Sequence, residues 1–494
     1  MTRNPNTPPR DDAPSPSPWR SFAVLLAGGF ITLLDVSILN VSIPSISHSL
    51  HMGGSGVQAI MAGYSLVFGL ILVPGGRLGD VYGRRRLFII GLILFGLASI
   101  GCGVSQNAHM LITLRLAQGI GAALVNPQML GLTQQLFSGA DRARAFGYLG
   151  LTIGIATAIG PPLGGIFIAV FGAEGGWRAA FLVNVPIIIV VIPLARKFLP
   201  AHPPREEVAL GLDLGGLALL TLSVVALMAP FLAASNREVG LAHAPWWLAV
   251  ISAVGFTAFF ALERAQERRG RSVIAPRALL RTPSFMFGTL TQMLYAAGFT
   301  AVFIIYTLYL QQGVGLQAWQ AGLMQIPIAA GSAIAAPFAG RLVSRVGRPL
   351  VVAGTAVVAL ATAAMATIAH TVPHAAIVPA IGVAALVLGL GSGATMAPNQ
   401  ALAVEHVPVA TGSTAGGLYQ TMQRVGSAIG IAIVTLAFYS TLSEGDITGP
   451  AAANYPAFAR AFAWGTGTIA VFVALACLVA IGDAWRVHKH PGPR

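Results

Sequence analysis

Ionisable side chains are scarce in this chain: Asp, Glu, Lys and Arg make up 9% of 494 residues, against about 25% in water-soluble domains. With 55% hydrophobic residues and a mean hydropathy of +0.76, that shortage excludes an ordinary soluble domain. Lysine is nearly missing: Lys197 and Lys489 stand against an otherwise all-arginine basic set, the bias a GC-rich genome would produce. The two cysteines, Cys102 and Cys477, both fall inside apolar runs, where they read as small buried hydrophobes and give no disulfide framework. No Walker-type phosphate loop is present, so an ion gradient rather than ATP is the expected energy source. His48, His51, His109, His202, His243, His370, His374 and His406 are scattered along the chain. They form no catalytic or metal-binding run, so neither a lipid-modifying enzyme, a metal nor a cofactor is expected.

What the chain does have is apolar runs about 20 residues long, enough to cross about 30 Å of hydrocarbon as a helix. They lie near 21–43, 57–75, 87–105, 109–132, 145–170, 179–199, 212–234, 246–262, 285–310, 319–340, 350–370, 375–398, 412–440 and 462–482, which makes fourteen. The first is too long for a cleavable signal and contains Asp35. With both termini inside the cell, 24 of the 29 Lys and Arg residues fall in cytoplasmic segments, as the positive-inside rule requires. The formal net charge of +13 is therefore explained by topology, and nucleic acid is not an expected partner. A twelve-span alternative without 212–262 keeps the same orientation but leaves two spanning-length runs unexplained.

The loop "GRLGDVYGRRR", Gly76–Arg86, returns as "GRLVSRVGRP", Gly340–Pro349. Each copy follows the second span of its half, so the chain divides into two six-helix bundles with two helices inserted between them, a recurrent transporter plan. The expected divisions are a disordered cytoplasmic tail, 1–18; an N-terminal bundle, 19–199; a linker and the inserted pair, 200–263; a basic loop, 264–282; a C-terminal bundle, 283–482; and a tail, 483–494. Ser344 stands in the second loop where Asp80 stands in the first, so the C-terminal half is expected to lack the acidic element.

The first loop resembles the signature between helices 2 and 3 of the major facilitator superfamily. "RLAQGIGAALVNP", from Arg115, resembles its helix 4 motif, and "GIATAIGPPLGG", Gly154–Gly165, its antiporter motif in helix 5. "LDVSILNVSIP" and "WRAAFLVNVP", Trp177–Pro186, resemble signatures of the fourteen-helix drug:proton antiporter branch, and "GGLYQTMQRVGSAIG" extends the likeness into helix 11. The resemblance implies an all-α polytopic membrane protein, two six-helix bundles of the major facilitator type plus two inserted transmembrane helices. The implied activity is proton-coupled export of hydrophobic or amphipathic small molecules, multidrug efflux, by a monomer in the bacterial cytoplasmic membrane. The alternatives are a proton-coupled symporter, an exporter of an endogenous metabolite, or a non-transporting sensor of the same fold.

Three groups of residues follow from these readings. Asp35 is the deepest acid, at a depth matching that of Arg115, and an intramembrane charge seeks a partner. The pair is either structural or the proton-coupling site, with Asp35 carrying the proton and Arg115 modulating its hold. Gly76, Asp80, Gly83 and Arg84 are expected to latch one access state, or merely to set topology. Gly154, Gly160, Pro161, Gly164 and Gly165 would give a kinked, closely packed gating helix. Polar and aromatic residues within spans form the candidate substrate cavity: Asn40, Tyr64, Asn126, Gln128, Gln292, Tyr295, Phe299, Gln325, Tyr419, Gln423 and Arg424, with Asn399 beside them. Arg424 has no acid in its own span, so it faces either backbone carbonyls or an anionic substrate group.

Overall fold

The computed structural model describes residues 17–52, 54–200, 214–234, 243–270, 273, 277–316, 318–442 and 451–489. The tail before residue 17, linker residues 201–213 and residues 490–494 lie outside the described residues.

All regular structure among them is helical. Apolar runs of this length must hydrogen-bond their own backbone in hydrocarbon, and a helix does so within one segment. The first bundle comprises α1 (Pro18–Ser49), α2 (Gly54–Tyr82), α3 (Arg84–Gly103), α4 (Ala108–Leu136), α5 (Gly139–Leu182) and α6 (Asn184–Phe198). Next come α7 (Leu214–Ala234), α8 (Trp247–Arg268) and the short α9 (Arg277–Arg281). The second bundle comprises α10 (Pro283–Leu308), α11 (Ala318–Leu323), α12 (Ile326–Val346), α13 (Arg348–Thr371), α14 (His374–Ala403), α15 (Gly412–Tyr439) and α16 (Ala451–Lys489). By length and composition, 12 stretches of the described residues can cross a membrane, one of them the 60-residue Gly139–Phe198. Helix α5 is interrupted at Gly172, at φ 75° and ψ 175°, while Pro161 and Pro162 keep helical backbone angles.

The repeated loops fold alike. Gly83 (φ 99°) separates α2 from α3, and Gly347 (φ 68°) separates α12 from α13. Both adopt a positive φ that strains a side-chain-bearing residue. Arg84 and Arg348 each open the following helix. The acid is where the two copies differ. Asp80 pairs with Arg84 at 2.9 Å from one turn away, whereas Ser344 bonds its own helix at the Arg341 carbonyl, 2.9 Å. Arg348 instead takes Asp483 of α16 at 2.5 Å, with Glu405 at 3.7 Å. The expectation that the second half lacks an acidic element is thereby corrected: the acid arrives from a distant helix, which loop sequence alone cannot register.

The halves meet closely at the end carrying these arginine-rich loops. A methyl built on Gly340 of α12 would lie 2.7 Å from the Ala143 carbonyl of α5. One on Gly417 of α15 would lie 2.5 Å from the Leu72 carbonyl of α2. Glycine at both positions lets backbones touch across the seam. The inserted helices sit against this seam: Leu220 and Val224 of α7 and Phe259 of α8 share a buried cluster with Val73 of α2 and Val425 of α15. Their outer face is apolar and open, with Trp247, Val250 and Val254 each more than 60% exposed, as a lipid-facing surface requires.

Removing one partner of a buried ion pair costs about 3–5 kcal/mol, so Asp483→Asn should lower the thermal midpoint of the purified protein by several degrees. Adding Ser344→Asp, which copies the Asp80–Arg84 spacing, should recover part of the loss. An unchanged midpoint in the single variant would contradict the assigned pairing.

Candidate functional site

Asp35 lies in the middle of α1 and is 2% exposed. Three other helices supply what surrounds its carboxylate. From α4, Arg115 donates Nη1–H to Oδ2 at 2.7 Å, and Gln118, one turn on, donates Nε2–H to Oδ1 at 2.9 Å. From the first residue of α6, Asn184 donates Nδ2–H to Oδ1 at 3.0 Å. The Ser99 hydroxyl of α3 accepts from the same Gln118 amide, 2.8 Å, and from Asn184, 3.4 Å. Arg115 also donates to the Gln118 Oε1 at 2.6 Å, which fixes the orientation of that amide. The guanidinium lies over the Tyr64 ring, 4.3 Å from its centroid, and 5.5 Å from that of Phe181.

An isolated charge at the centre of a span costs at least about 2.5–3.5 kcal/mol. Here two opposite charges meet, and charge-assisted bonds occupy both carboxylate oxygens. The arrangement stabilises the ionised pair and holds α1, α4 and α6 in register. It also gives the carboxylate a defined set of bonds to exchange if it takes up a proton. Sequence reasoning paired Asp35 with Arg115 by depth but did not single out Gln118, Asn184 or Ser99. The signals existed: Gln118 sits at i+3 from Arg115, on the same helix face, and Asn184 ends the run "WRAAFLVN".

A second polar cluster spans the seam. The Asp80 carboxylate accepts Arg84 Nε–H at 3.0 Å on its own side of the seam. From the first turn of α15 it takes the backbone N–H of Ser413, 3.3 Å, the N–H of Thr414, 2.9 Å, and the Thr414 hydroxyl, 2.8 Å. These are helix N-terminal donors with no intrahelical partner, and the positive end of the α15 dipole adds to the attraction. Arg84 donates onward to the Gly131 carbonyl of α4, 2.7 Å, and to the Val409 carbonyl of the second half. Gly76 admits the approach, since a methyl there would lie 2.3 Å from the Ser413 carbonyl.

Comparison with known proteins agrees with this architecture. The sequence profile of the Major Facilitator Superfamily matches residues 25–431. The chain belongs to that superfamily. Among curated relatives of this facilitator, a probable actinorhodin transporter of Streptomyces coelicolor is 33% identical over 86% of the chain and 73% of the relative. A cephamycin export protein of Amycolatopsis lactamdurans is 30% identical over 94% of the chain and 92% of the relative. The solved structure of a proton:xylose symporter superposes with a TM-score of 0.64 over 94% of both chains at 15% identity, a likeness of fold. The chain is therefore a multi-pass membrane transporter of small molecules and not an enzyme.

The remaining candidate residues of the facilitator divide by surroundings. Gln128 is fully buried and donates to the Gly75 carbonyl at 2.7 Å. Asn126 reaches the Ala122 carbonyl, 2.9 Å, and the Thr32 hydroxyl, 3.3 Å. Asn399 donates to the Tyr419 hydroxyl at 3.1 Å, and Tyr419 donates to Gln292 at 2.9 Å. Tyr295 is also fully buried, stacked with Phe299 at 5.2 Å between centroids. In this conformation these groups are occupied by packing. Phe299, Gln325, Gln423 and Arg424 are partly buried, and Gln325 donates to the Thr307 hydroxyl at 2.9 Å. The gating glycines separate as well. Gly154 faces Ala333 of α12 across the seam, its added methyl 3.0 Å away, while Gly160 faces Ser37 of α1 at 2.3 Å within the first bundle. Gly164 is buried, and nothing lies within 4 Å of a methyl on Gly165. The side chains of Asn40 and Pro161 lie outside the described residues.

Asp80→Asn keeps the shape and removes the charge facing the α15 N-terminus, a loss of about 1–2 kcal/mol. The closed seam should lose about tenfold in population, which spin-label distances across the seam between α5 and α12 would read as a broadened distribution. An unchanged distribution would leave the loop with a topogenic role alone.

Proposed function

We propose that this facilitator is a fourteen-span, proton-coupled antiporter that exports hydrophobic or amphipathic compounds by alternating access. It would work as a monomer in the bacterial cytoplasmic membrane with both termini inside. The observation that carries the reading is the buried Asp35 carboxylate with Arg115 at 2.7 Å. Asp35 is a titratable acid in the middle of a span, and the helices that grip it, α1, α4 and α6, form the core of one of the two bundles that would rock when access alternates. Support for fourteen spans comes from two lengths. The 60-residue Gly139–Phe198 stretch is about 90 Å long at 1.5 Å per residue, enough to cross twice, and α7 with 21 residues reaches about 30 Å. The relatives named for transport of actinorhodin and export of cephamycin support an outward direction and an organic substrate.

In the proposed cycle a proton from outside binds the Asp35 carboxylate. The neutral acid no longer offsets Arg115, the three side-chain bonds it accepts weaken, and α1 is released from α4 and α6. Substrate entering from the cytoplasm favours return of the proton to that side, so one compound leaves as protons enter. The seam contacts of Asp80 and Arg84 would stabilise the state closed to the cytoplasm, and their release would open it.

Everted membrane vesicles carrying Asp35→Asn should lose gradient-driven efflux of a fluorescent dye by about 100-fold or more, since Asp35 is the one mid-span carboxylate among the described residues. Substrate-induced proton release by the purified variant at the wild-type level would overturn the assignment.

A further inference from the structure

Arg424 is held very differently from Arg115. It lies in α15, 12 residues beyond Gly412, about 18 Å along the axis from the arginine-rich end. Its helix face is directed at α2 of the other half: Gly417 abuts the Leu72 carbonyl, and the Thr421 hydroxyl donates to the Gly69 carbonyl at 3.3 Å. The Arg424 Cβ is 3.8 Å from a methyl built on Gly69. The guanidinium sits over the Phe68 ring, 4.7 Å from its centroid. Among the described residues no hydrogen bond and no ion pair engages it, and it is only partly buried. The anticipated backbone-carbonyl partner is not what the side chain meets.

An arginine that spends none of its five N–H donors on the described residues is anomalous within a membrane span, because such charges find partners. Stacking on Phe68 stabilises the cation without using a donor. The inside of the seam therefore keeps a planar cation facing the opposing half of the transporter. Guanidinium groups match carboxylate, sulfonate and phosphate groups with paired N–H···O bonds. We infer that Arg424 is the recognition site for an anionic group on the transported compound, and that the substrates include amphipathic organic anions. This rests on the export reading given above and names the substrate class for it.

The surroundings suit that role. Phe68 stacks on Tyr64, rings 6.0 Å apart and 15° from parallel, and Tyr64 carries Arg115 on its own ring at 4.3 Å. Arg424 and Arg115 thus lie over two neighbouring, mutually stacked rings of α2. An anion bound at Arg424 meets the charge neutralisation that Arg115 already has and Arg424 lacks.

The test uses the full chain in lipid nanodiscs and two probes of nearly equal shape, anthraquinone carboxylate and its methyl ester. The wild-type protein should bind the acid about tenfold or more tightly than the ester, and Arg424→Gln should bring the two within about twofold. Arg424→Lys, which keeps the charge but loses the fork, should retain part of the preference. A wild-type protein with no preference for the acid, or an Arg424→Gln variant that keeps it, would overturn the inference. Extrusion of the neutral ester by wild-type everted vesicles under a proton gradient reads the export function separately. Its absence would count against export while leaving the equilibrium acid preference intact.

Discussion

A charge in hydrocarbon must be paired, and in this molecule the Asp35–Arg115 pair meets that demand, with the first bundle arranged around it. Arg115 alone would not suffice, since a carboxylate has two oxygens. Gln118 and Asn184 occupy the second oxygen, and Ser99 orients both amides. Five side chains on α1, α3, α4 and α6 are thereby committed to one another. Tyr64 of α2 covers the guanidinium from the remaining side. Such a network has large interaction energies of both signs, so any change in the charge of Asp35 is felt by every helix it joins. That property would suit a group whose protonation alters helix packing, as the proposed cycle has it.

The second constraint is the seam. Two bundles that rock, as the proposed cycle requires, would touch closely in one state and part in another, and in this structure their contacts are backbone-close and largely apolar. Glycines at 76, 340 and 417 supply the approach, and Asp80 supplies a charge that satisfies the free N–H groups of α15. The two loop copies have diverged to different tasks. In the first, the acid works across the seam. In the second, Arg348 is tied within its own bundle to Asp483, which also accepts Arg486 at 3.0 Å. In this structure one copy bonds across the seam, and the other ties the last helix to its neighbours.

Much of this was legible in the chain. Apolar run length located the helices because hydrocarbon thickness leaves little choice, and glycine spacing located both turns because their φ is positive. The depth match of Asp35 and Arg115 survived because helix rise is constant. What the sequence withheld is contact between distant segments. Asn184 lies 149 residues from Asp35, and Asp483 lies 135 from Arg348; neither pairing has a local signature. Polar residues within spans were the least legible. Gln128, Gln292 and Tyr419 carry the same chemistry as cavity residues, and only their neighbours reveal that they tie helices together. Arg424 is the converse, since its lack of a hydrogen-bond or ion-pair partner among the described residues becomes visible only once the surroundings are built.

Whether Asp35 exchanges a proton when substrate binds separates a coupling carboxylate from a purely structural one. Infrared difference spectroscopy of the reconstituted protein reports this directly, because a protonated carboxyl has a carbonyl stretch that a carboxylate lacks. Adding substrate to the protonated protein should remove one such band, and the change should vanish in Asp35→Asn. An unchanged carbonyl region in the wild-type protein, or the same band loss in the variant, would contradict the account.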